Sequence, residues 1–362
     1  MSIRLTDTAT LHPLVLPARA DAADADVFRA YAQVRNTSLA ETTGRDDEAL
    51  DPGELLALLR SDADLTRRQW YILDGEKMIG LAALNILADG GGRTAFLTVN
   101  ILRSAWSRGI GSAALDHVEK VARDTAVQRL LLWAEHHDST EDQLPSPTGF
   151  GSIPRDHAAR FLLRHGYALE QVERISVLTW TEPQVQKLRT LRAEAEHRAD
   201  GYRVVQWLLP TPAERVEGYA WMKHHMSTDA PDADLDMPAE SWDAERVARH
   251  DDRYLQRGNT VLVTAAEHIT TGELCAYNEL SIGRDPASTT NQEDTLVLSA
   301  HRGHRLGMLV KTAGLLSWHE SHPASPRVIT YNAEENRPML DINEAIGFTP
   351  IAYEGAWKKD LT

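Results

Sequence analysis

RTAFLTVNILRSAWSRGIGSAALDHVEKVARDTAVQRLLLWAE (residues 93–135) and EDTLVLSAHRGHRLGMLVKTAGLLSWHESHPASPRVITYNAE (residues 293–334) are the two stretches of sequence that decide the fold. Each reads as an apolar strand, a short polar turn, an amphipathic helix and a second apolar strand. An offset of 196 residues superposes Gly111 on Gly307 and Leu102 on Leu298. Because self-similarity at this length indicates repeated structural units, the chain is predicted to contain two copies of one α/β unit.

A second pair of matching segments lies downstream in each copy. AARFLLRHGY (158–167) parallels MLDINEAIGF (339–348), and both read as a helix that runs into a glycine and an aromatic residue. Here the offset is only 181, so the first copy has 15 extra residues between its two features. They fall in residues 136–157, which are rich in Pro, Gly and Ser and predict a loop. Two different features thus recur in the same order.

The length of 362 residues suits two domains of about 180 residues each. The halves also begin alike, since residues 11–34 and 201–222 both read as a strand followed by a helix. A charged helical segment ending at Gly201 separates them. We therefore expect an N-terminal domain over 1–182, a helical linker over 183–200 and a C-terminal domain over 201–362. Each domain is predicted to be α/β with a mixed sheet.

Composition limits the class of partner. The formal net charge of −15 argues against sequence-independent nucleic-acid binding, which relies on a basic surface. It favours a cationic small molecule such as an amine, although an acid-rich surface alone has the same composition. No apolar run is long enough for a membrane helix, and the N-terminus does not read as a signal peptide. With Cys275 as the only cysteine, no intrachain disulfide can form, and we expect a reducing, cytoplasmic setting.

The turn between strand and helix in the first copy, Trp106-Ser-Arg-Gly-Ile-Gly111, predicts a pyrophosphate site. Glycines allow backbone amides to approach a ligand, and a helix N-terminus presents free N–H groups and a positive dipole end. The stretch from Gly109 to Ala114 also satisfies the G-x-G-x-x-A dinucleotide pattern, with Glu135 ending the next strand. That pattern belongs in the opening βαβ unit of a domain, and the second copy has Arg305 at its first glycine. We therefore keep the nicotinamide alternative open but disfavour it.

These residues resemble the GCN5-related N-acetyltransferases (GNAT), whose [RQ]-x-x-G-x-[GA] turn cradles the coenzyme A pyrophosphate. The second copy, from Arg302 to Gly307, keeps the leading Arg and the final Gly but replaces the middle Gly with Arg305. The first copy keeps both glycines but has Trp106 in place of Arg or Gln. The helix leading into [LF]-G-[FY] is a second family feature, present in both copies. Tandem members such as mycothiol synthase have this two-domain architecture.

The resemblance implies direct transfer of an acetyl group from acetyl-CoA to the amine of a small molecule. It also implies the coenzyme contacts, through the backbone of the strand before the turn, the turn amides and the following helix. The implied residues are Val297, Leu298, Arg302, Gly303, His304, Arg305, Leu306, Gly307, Met308, Asn336 and Asn343 in the C-terminal domain. A second set in the N-terminal domain is Ile101, Leu102, Arg108, Gly109, Ile110, Gly111 and Ser112.

The acid that protonates the leaving thiolate in the family is often a Tyr, and its position is Asn343 in one copy and Leu162 in the other. Asn343 can still donate a hydrogen bond, whereas Leu162 cannot. Asn332, at the end of a strand, is predicted to be functional, and Asn336 either binds the coenzyme or only caps the next helix. This asymmetry favours the C-terminal site.

Glu279 is the predicted general base. Alternation along a strand places it on the same face as Tyr277 and opposite Asn278. Asp294 is the second choice for the base, and a merely salt-bridged carboxylate is the alternative for each.

The sequence as a whole predicts an N-acetyltransferase with a catalytic C-terminal domain and a degenerate N-terminal one. A non-catalytic coenzyme-A-binding or scaffold protein is the alternative. We expect no bound metal, no nucleic-acid or membrane partner, and a monomer or homodimer.

Overall fold

The computed structural model describes residues 2–136, 142–229 and 231–361. Its helices are α1 (Asp26–Thr43), α2 (Pro52–Leu59), α3 (Ile110–Asp124), α4 (His157–Arg164), α5 (Glu182–Arg198), α6 (Val216–Asp229), α7 (Ala244–Arg257), α8 (Leu306–Ser321) and α9 (Arg337–Ile346). Within the described residues, none of these helices has the length and apolar character needed to cross a bilayer.

The strands follow the predicted order in both halves. They are β1 (Ile3–Arg4), β2 (Ala9–Pro13), β3 (Leu65–Asp74), β4 (Lys77–Leu87), β5 (Thr94–Ile101), β6 (Arg129–His136), β7 (Gln143–Pro145), β8 (Ser152–Pro154), β9 (Ala168–Thr179), β10 (Tyr202–Leu208), β11 (Thr260–His268), β12 (Leu274–Ile282), β13 (Thr290–Val297), β14 (Arg327–Ala333) and β15 (Thr349–Asp360). The segment predicted as a loop, 136–157, contains the short hairpin of β7 and β8, while residues 137–141 lie outside the described part.

The chain divides into two compact units. Unit 1 comprises residues 1–172, 232–238 and 353–362, and unit 2 comprises residues 173–231 and 239–352. The expected linker, residues 183–200, corresponds to α5 and belongs to unit 2.

Unit 1 contains a mixed sheet with the strand order β1-β2-β3-β4-β5-β6-β15. Neighbours are antiparallel except β5 and β6, which are parallel and joined by α3. One face packs on α3 and α4 through buried residues that include Leu115 and Leu162. The other face packs on α1 and α2, where Tyr31 and Leu55 contact Leu81 of β4. This is a sheet covered by helices on both faces.

Unit 2 repeats this architecture with the strand order β9-β14-β13-β12-β11-β10. Its parallel pair is β13 and β14, joined by α8. The core on one face includes Leu188 of α5, Leu309 of α8 and Ile346 of α9. The core on the other face includes Tyr219 of α6 and Val247 of α7. The duplication predicted from the sequence is present in the fold.

The last strand of each sheet comes from the other half of the sequence. Residues 353–360 of β15 pair with β6 in unit 1, and residues 173–179 of β9 pair with β14 in unit 2. The compact units therefore do not follow the expected boundaries at residues 182 and 201. Since β9 and β15 follow the equivalent helices α4 and α9, either strand offers an antiparallel partner of the same type. The hydrophobic pattern alone does not distinguish the two pairings.

Candidate active site

The turns that precede α3 and α8 have the same backbone. At the first matched position, φ is 58° for Ser107 and 92° for Gly303, and at the second it is 77° for Gly109 and 56° for Arg305. Each copy thus has a glycine at one of the two left-handed positions and another residue at the other. Arg305 holds a conformation that costs a non-glycine residue about 1 kcal/mol or more. The missing middle glycine of the second copy therefore does not change the path of the turn.

Both turns end at a helix whose first amides are free. Neither α3 nor α8 has a side-chain cap at its N-terminus. Across the described residues, the backbone N–H groups of 107–112 and of 303–308 have no protein acceptor. The amide of Arg302, which was in the predicted set, instead donates to the Ser299 carbonyl (3.4 Å). Free amides at a helix N-terminus can bind an anion, and both copies have them.

Trp106 and Arg302, the residues that begin the two turns, make the same internal contact. Trp106 Nε1 donates to the Ile101 carbonyl at 2.7 Å, and Arg302 Nε donates to the Val297 carbonyl at 3.3 Å. Trp106 also stacks on His157 with ring centroids 4.3 Å apart. Either residue therefore ties the turn to the end of the preceding strand.

The parallel strands of each unit separate before they reach the turn. In unit 1, β5 and β6 pair only over residues 94–96 of β5, and in unit 2, β13 and β14 pair only over residues 290–292 of β13. Val297 lies beyond the last pair, as the resemblance implies for a pantetheine contact. Leu298 follows it, but its N–H donates to the Cys275 carbonyl at 3.0 Å and its carbonyl accepts from His301. The backbone of Leu298 is engaged within the protein and the Val297 carbonyl accepts from Arg302, so the expected contact falls to the Val297 N–H.

The predicted asparagines meet at the open end of β14. Asn343 Nδ2 donates to Asn332 Oδ1 at 2.7 Å, and Asn343 is only 1% exposed. Its Oδ1 is buried without a hydrogen-bond partner in the described structure. Asn336 begins α9, but its side chain makes no cap hydrogen bond. Helix capping, which was the alternative role for Asn336, is therefore not what its side chain does.

A β-bulge places two carboxylates opposite Glu279. The pairing of β12 with β13 shifts between Asn278 and Leu280, so Glu279 faces both Glu293 and Asp294. A bulge re-aims the side chains of the extra residue and its neighbour. Ser281 donates to Glu293 at 2.6 Å and Tyr277 donates to Asp294 at 3.1 Å, which puts both acids on one face of the sheet.

Lys223 of α6 joins these carboxylates. Its Nζ lies 3.0 Å from Glu279 Oε2 and 2.8 Å from Asp294 Oδ2. The three ring centroids around it, those of Tyr219, Trp242 and Tyr277, are 5.5–5.7 Å from Nζ. We call Lys223, Glu279, Glu293 and Asp294 the Lys223 cluster.

The carboxylates of the Lys223 cluster differ in solvent exposure and in the direction of their pKa shifts. Glu279 is 1% exposed and accepts a hydrogen bond from Tyr219, whereas the Asp294 side chain is 37% exposed. Burial raises the pKa of Glu279 and of Glu293. Burial also acts to raise the pKa of Asp294, but the Lys223 ammonium and the hydrogen bonds from Lys223 and Tyr277 outweigh it, and that pKa is lowered. Asp294 is therefore the ionised carboxylate of the cluster that reaches solvent.

Three members of this arrangement were not predicted from the sequence: Tyr219, Lys223 and Glu293. The spacing of four residues between Tyr219 and Lys223, one helical turn, was the available signal, since both then share a face of α6. Adjacent acids at 293 and 294 normally point to opposite faces of a strand, so only the bulge brings them together. Glu279 and Tyr277 do share the face predicted for them, while Asn278 contacts Thr295 at 2.9 Å on the other.

Unit 1 has uncharged residues at the positions that match Tyr277, Glu279 and Asp294. Ala83 pairs with Thr98 without a bulge, and Leu81 packs against α1. One buried ion pair of unit 1 lies elsewhere, where Arg45 contacts Glu135 at the end of β6. Burial raises the pKa of Glu135 to about 7 in spite of that pair. Unit 1 thus has the turn and the strand gap but not the Lys223 cluster.

One group of metal-ligating side chains occurs outside these sites in the described residues. The ligand atoms of Glu273, Cys275 and His301 all lie within 4.8 Å of one another. Burial raises the pKa of the Cys275 thiol to about 11, so this thiol is protonated at neutral pH. The absence of a bound metal stays a prediction.

Known proteins resemble this chain in sequence over the first copy and in fold over both copies. Residues 33–143 match the model of the acetyltransferase (GNAT) family. The chain is similar to a solved tandem GNAT protein from the clavulanic acid biosynthesis pathway, with a TM-score of 0.73 and 22% identity over 97% of this chain and 98% of that one. The first copy thus resembles the GNAT family in sequence, and the whole chain shares the fold of a tandem GNAT protein. A GCN5-related N-acetyltransferase from Sphaerobacter thermophilus is also similar, with a TM-score of 0.62 and 14% identity over 99% and 97% of the two chains.

The family match over residues 33–143 relates the first copy to the acetyltransferases of that family. No curated protein matches the sequence at a significant level. The family model covers the copy that keeps Gly109 and Gly111, whereas the copy in unit 2 is related to the family through its fold. Which copy performs chemistry therefore depends on the side chains around each strand gap.

Proposed function

We propose that unit 2 transfers an acetyl group from acetyl-CoA to the amine of a small molecule. The observation that carries this proposal is the Lys223 cluster, whose members Glu293 and Asp294 lie on β13 just beyond its last pair with β14. The same strand leads into the turn whose amides are free. A proton acceptor and an anion site thus border one strand gap in unit 2, and the proton acceptor has no counterpart in unit 1.

The residues present fit coenzyme A. The free amides of 303–308 would hold the pyrophosphate, and the end of β13 at Val297, which is paired with β12 but not with β14, would contact pantetheine. Asn343 adds a buried acceptor atom without a partner at the open end of β14. When bound, acetyl-CoA supplies an acyl group activated as a thioester.

Asp294 is the group of this chain that accepts the amine proton. Its Oδ2 is bonded to Lys223 and Tyr277, whereas its Oδ1 makes no hydrogen bond in the described structure. Lys223 keeps Asp294 ionised, so Oδ1 is free to take a proton from an ammonium directly or through water. Glu279, the first choice from the sequence, is buried and is paired with Lys223. We assign Glu279 the role of holding Lys223 in place.

The acceptor is expected to be cationic and small. An exposed carboxylate beside the strand gap attracts an ammonium, and the net charge of −15 raises the local concentration of cations. The free, buried thiol of Cys275 agrees with the cytoplasmic setting that we propose. For unit 1, the apolar residues Leu81 and Ala83 at the matching face support a non-catalytic role.

Calorimetry with acetyl-CoA tests the site. His304 and Arg108 are matched positions in the two turns, and neither has a left-handed backbone. We expect His304→Glu to weaken binding at least about tenfold, or about 1.4 kcal/mol, because its carboxylate repels the pyrophosphate. Arg108→Glu should leave the affinity unchanged. The opposite pattern would move the working site to unit 1, and no binding by the wild type would refute coenzyme recognition.

Turnover separates the enzyme from a scaffold. Thiol release from acetyl-CoA is followed across a panel of primary amines. Release with one class of amine supports the transferase. Binding of acetyl-CoA without release by any amine supports the alternative of a non-catalytic coenzyme-A-binding protein.

A further inference from the structure

Lys311 is a buried amine that the proposed chemistry has not yet used. It lies on α8 and is 1% exposed. Its Nζ has Met339 Sδ as its hydrogen-bond partner at 3.6 Å, and it lies 6.0 Å from the centroid of the Phe348 ring. In the described residues it forms no ion pair. Burial of an ammonium without a carboxylate is unfavourable, so the position is not explained by folding.

The amine lies between the two helices that flank the strand gap. Gly307, one turn earlier on α8, faces Ile342 of α9 and Val297 of β13, since a Cβ built there would lie 3.0 and 3.4 Å from their side chains. Lys311 is four residues after Gly307 and therefore on the same face. Met339, its partner, is three residues before Ile342 on α9. Lys311 Nζ thus lies between α8 and α9, on the face of α8 that meets Val297 beside the strand gap.

The matching residue in unit 1 is apolar. The offset of 196 residues places Leu115 of α3 opposite Lys311, and Leu115 is fully buried in the core of unit 1. A leucine therefore fits this position of the repeated fold. The lysine is found only in the unit that also has the Lys223 cluster, which separates it from the requirements of the fold.

We propose that Lys311 is the proton donor to the leaving thiolate in unit 2. This rests on the proposed function. Asp294 first takes a proton from the substrate ammonium and passes it to solvent. As the new C–N bond forms and the C–S bond breaks, Asp294 takes the second proton from the nitrogen and the Lys311 ammonium gives one to sulfur. Asp294 then loses its proton to solvent and Lys311 regains one, so that the net reaction releases one proton. Asn343, which occupies the usual tyrosine position, has no acidic proton to give. Burial lowers the pKa of Lys311 to about 7, which suits proton transfer near neutral pH.

No charge close to Lys311 competes for this role in the described structure. Burial is the cause of its pKa shift, without a contribution from a charged neighbour. On α9, Arg337 pairs with Asp341 and Glu344 pairs with Arg174. The other α8 residues near it, Met308 to Leu315, are apolar or neutral.

Lys311→Met is the decisive variant, with Leu115→Met in unit 1 as its matched control. We expect Lys311→Met to melt at or above the wild-type temperature, because it removes an unpaired buried amine. Its kcat should fall roughly 100-fold, with the KM for acetyl-CoA little changed. The wild-type rate should also decline as pH rises through about 7, where Lys311 loses its proton. That alkaline limb should be absent in the variant.

A binding experiment gives a readout that needs no turnover. Coenzyme A is titrated at pH 7 in buffers of different ionisation enthalpy. We expect Lys311 to be fully protonated in the complex with coenzyme A. The wild type should then take up about half a proton per coenzyme A bound, since a group with its pKa near 7 is only half protonated at pH 7 before binding. Lys311→Met should take up none. Lys311→Arg, which stays protonated, should bind coenzyme A but not restore kcat.

The outcomes separate this inference from the proposed function. An unchanged kcat and pH profile in Lys311→Met, with an active wild type, would refute the role of Lys311 alone. Acetylation of Lys311 itself, detected by peptide mass spectrometry after incubation with acetyl-CoA, would make it an acceptor and also refute it. A wild type that neither binds nor turns over acetyl-CoA would instead remove the proposed function.

Discussion

Units 1 and 2 have the same backbone conformation in the turns before α3 and α8. They differ in the side chains on the sheet beside those turns. The left-handed residues of the two turns coincide, and the same strand carbonyl is bonded by Trp106 in one and Arg302 in the other. Next to the strand gap, however, unit 1 has Ala83 facing Thr98, whereas unit 2 has Glu279 facing two acids. The two copies thus share the free amides of the turn and differ in the charged groups on the sheet beside it.

A single inserted residue accounts for much of that divergence. Without the bulge in β13, Glu293 and Asp294 would point to opposite faces, and only one could approach Lys223. The bulge also leaves Asp294 with an exposed side chain at the point where β13 has left β14. A change in strand register can therefore create a proton acceptor without altering the topology.

Asp294→Asn should have the largest effect on the comparison, with Thr98→Val as the matched change in unit 1. Asparagine keeps the size of the side chain but cannot accept the amine proton. We expect kcat to fall roughly 10²- to 10⁴-fold, while Thr98→Val leaves it unchanged. Steady-state kinetics with an amine identified from the panel measure this. Full activity in Asp294→Asn would return the role of base to Glu279.

Trp357→Ala tests the pairing of β15 with β6. It should lower the stability of unit 1 alone. Trp357 lies on the part of β15 that pairs with β6, and it is fully buried in the core of unit 1. Truncation of a buried Trp costs about 3–5 kcal/mol of unfolding free energy. Hydrogen exchange should accelerate at the amides of β6 and not at those of β14.

Trp318→Ala provides the opposite case for the same measurement. Trp318 is fully buried in unit 2 and donates from Nε1 to Thr290 at 2.8 Å. We expect faster exchange at β13 and β14 and unchanged exchange at β6. If Trp357→Ala exposed β14 instead, the assignment of residues 353–360 of β15 to unit 1 would be wrong.

The sequence predicted the repeated elements well because each depends on local pattern. The offset of 196 residues reproduces the left-handed pairs of the turns, and Asn332 and Asn343, chosen from separate motifs, are in contact. The Lys223 cluster was missed because it depends on a bulge, which a strict alternation of faces does not reveal. The strand exchange was missed because β9 and β15 offer equivalent edges. Both omissions concern pairing between strands, which single-sequence patterns specify weakly.

Arg302→Trp should have the smallest effect, and it asks whether the first residue of the turn matters for more than its internal hydrogen bond. The Trp106 indole already shows that this ring can bond the strand carbonyl, so the turn should keep its path. Loss of the weak contact between Arg302 and Asp229, at 3.4 Å and exposed, should cost less than about 1 kcal/mol of stability. Calorimetry should then give an acetyl-CoA affinity within about fivefold of the wild type. A much larger loss would mean that the guanidinium contacts the pyrophosphate directly, and the leading Arg of the motif would then distinguish the two units as strongly as the Lys223 cluster does.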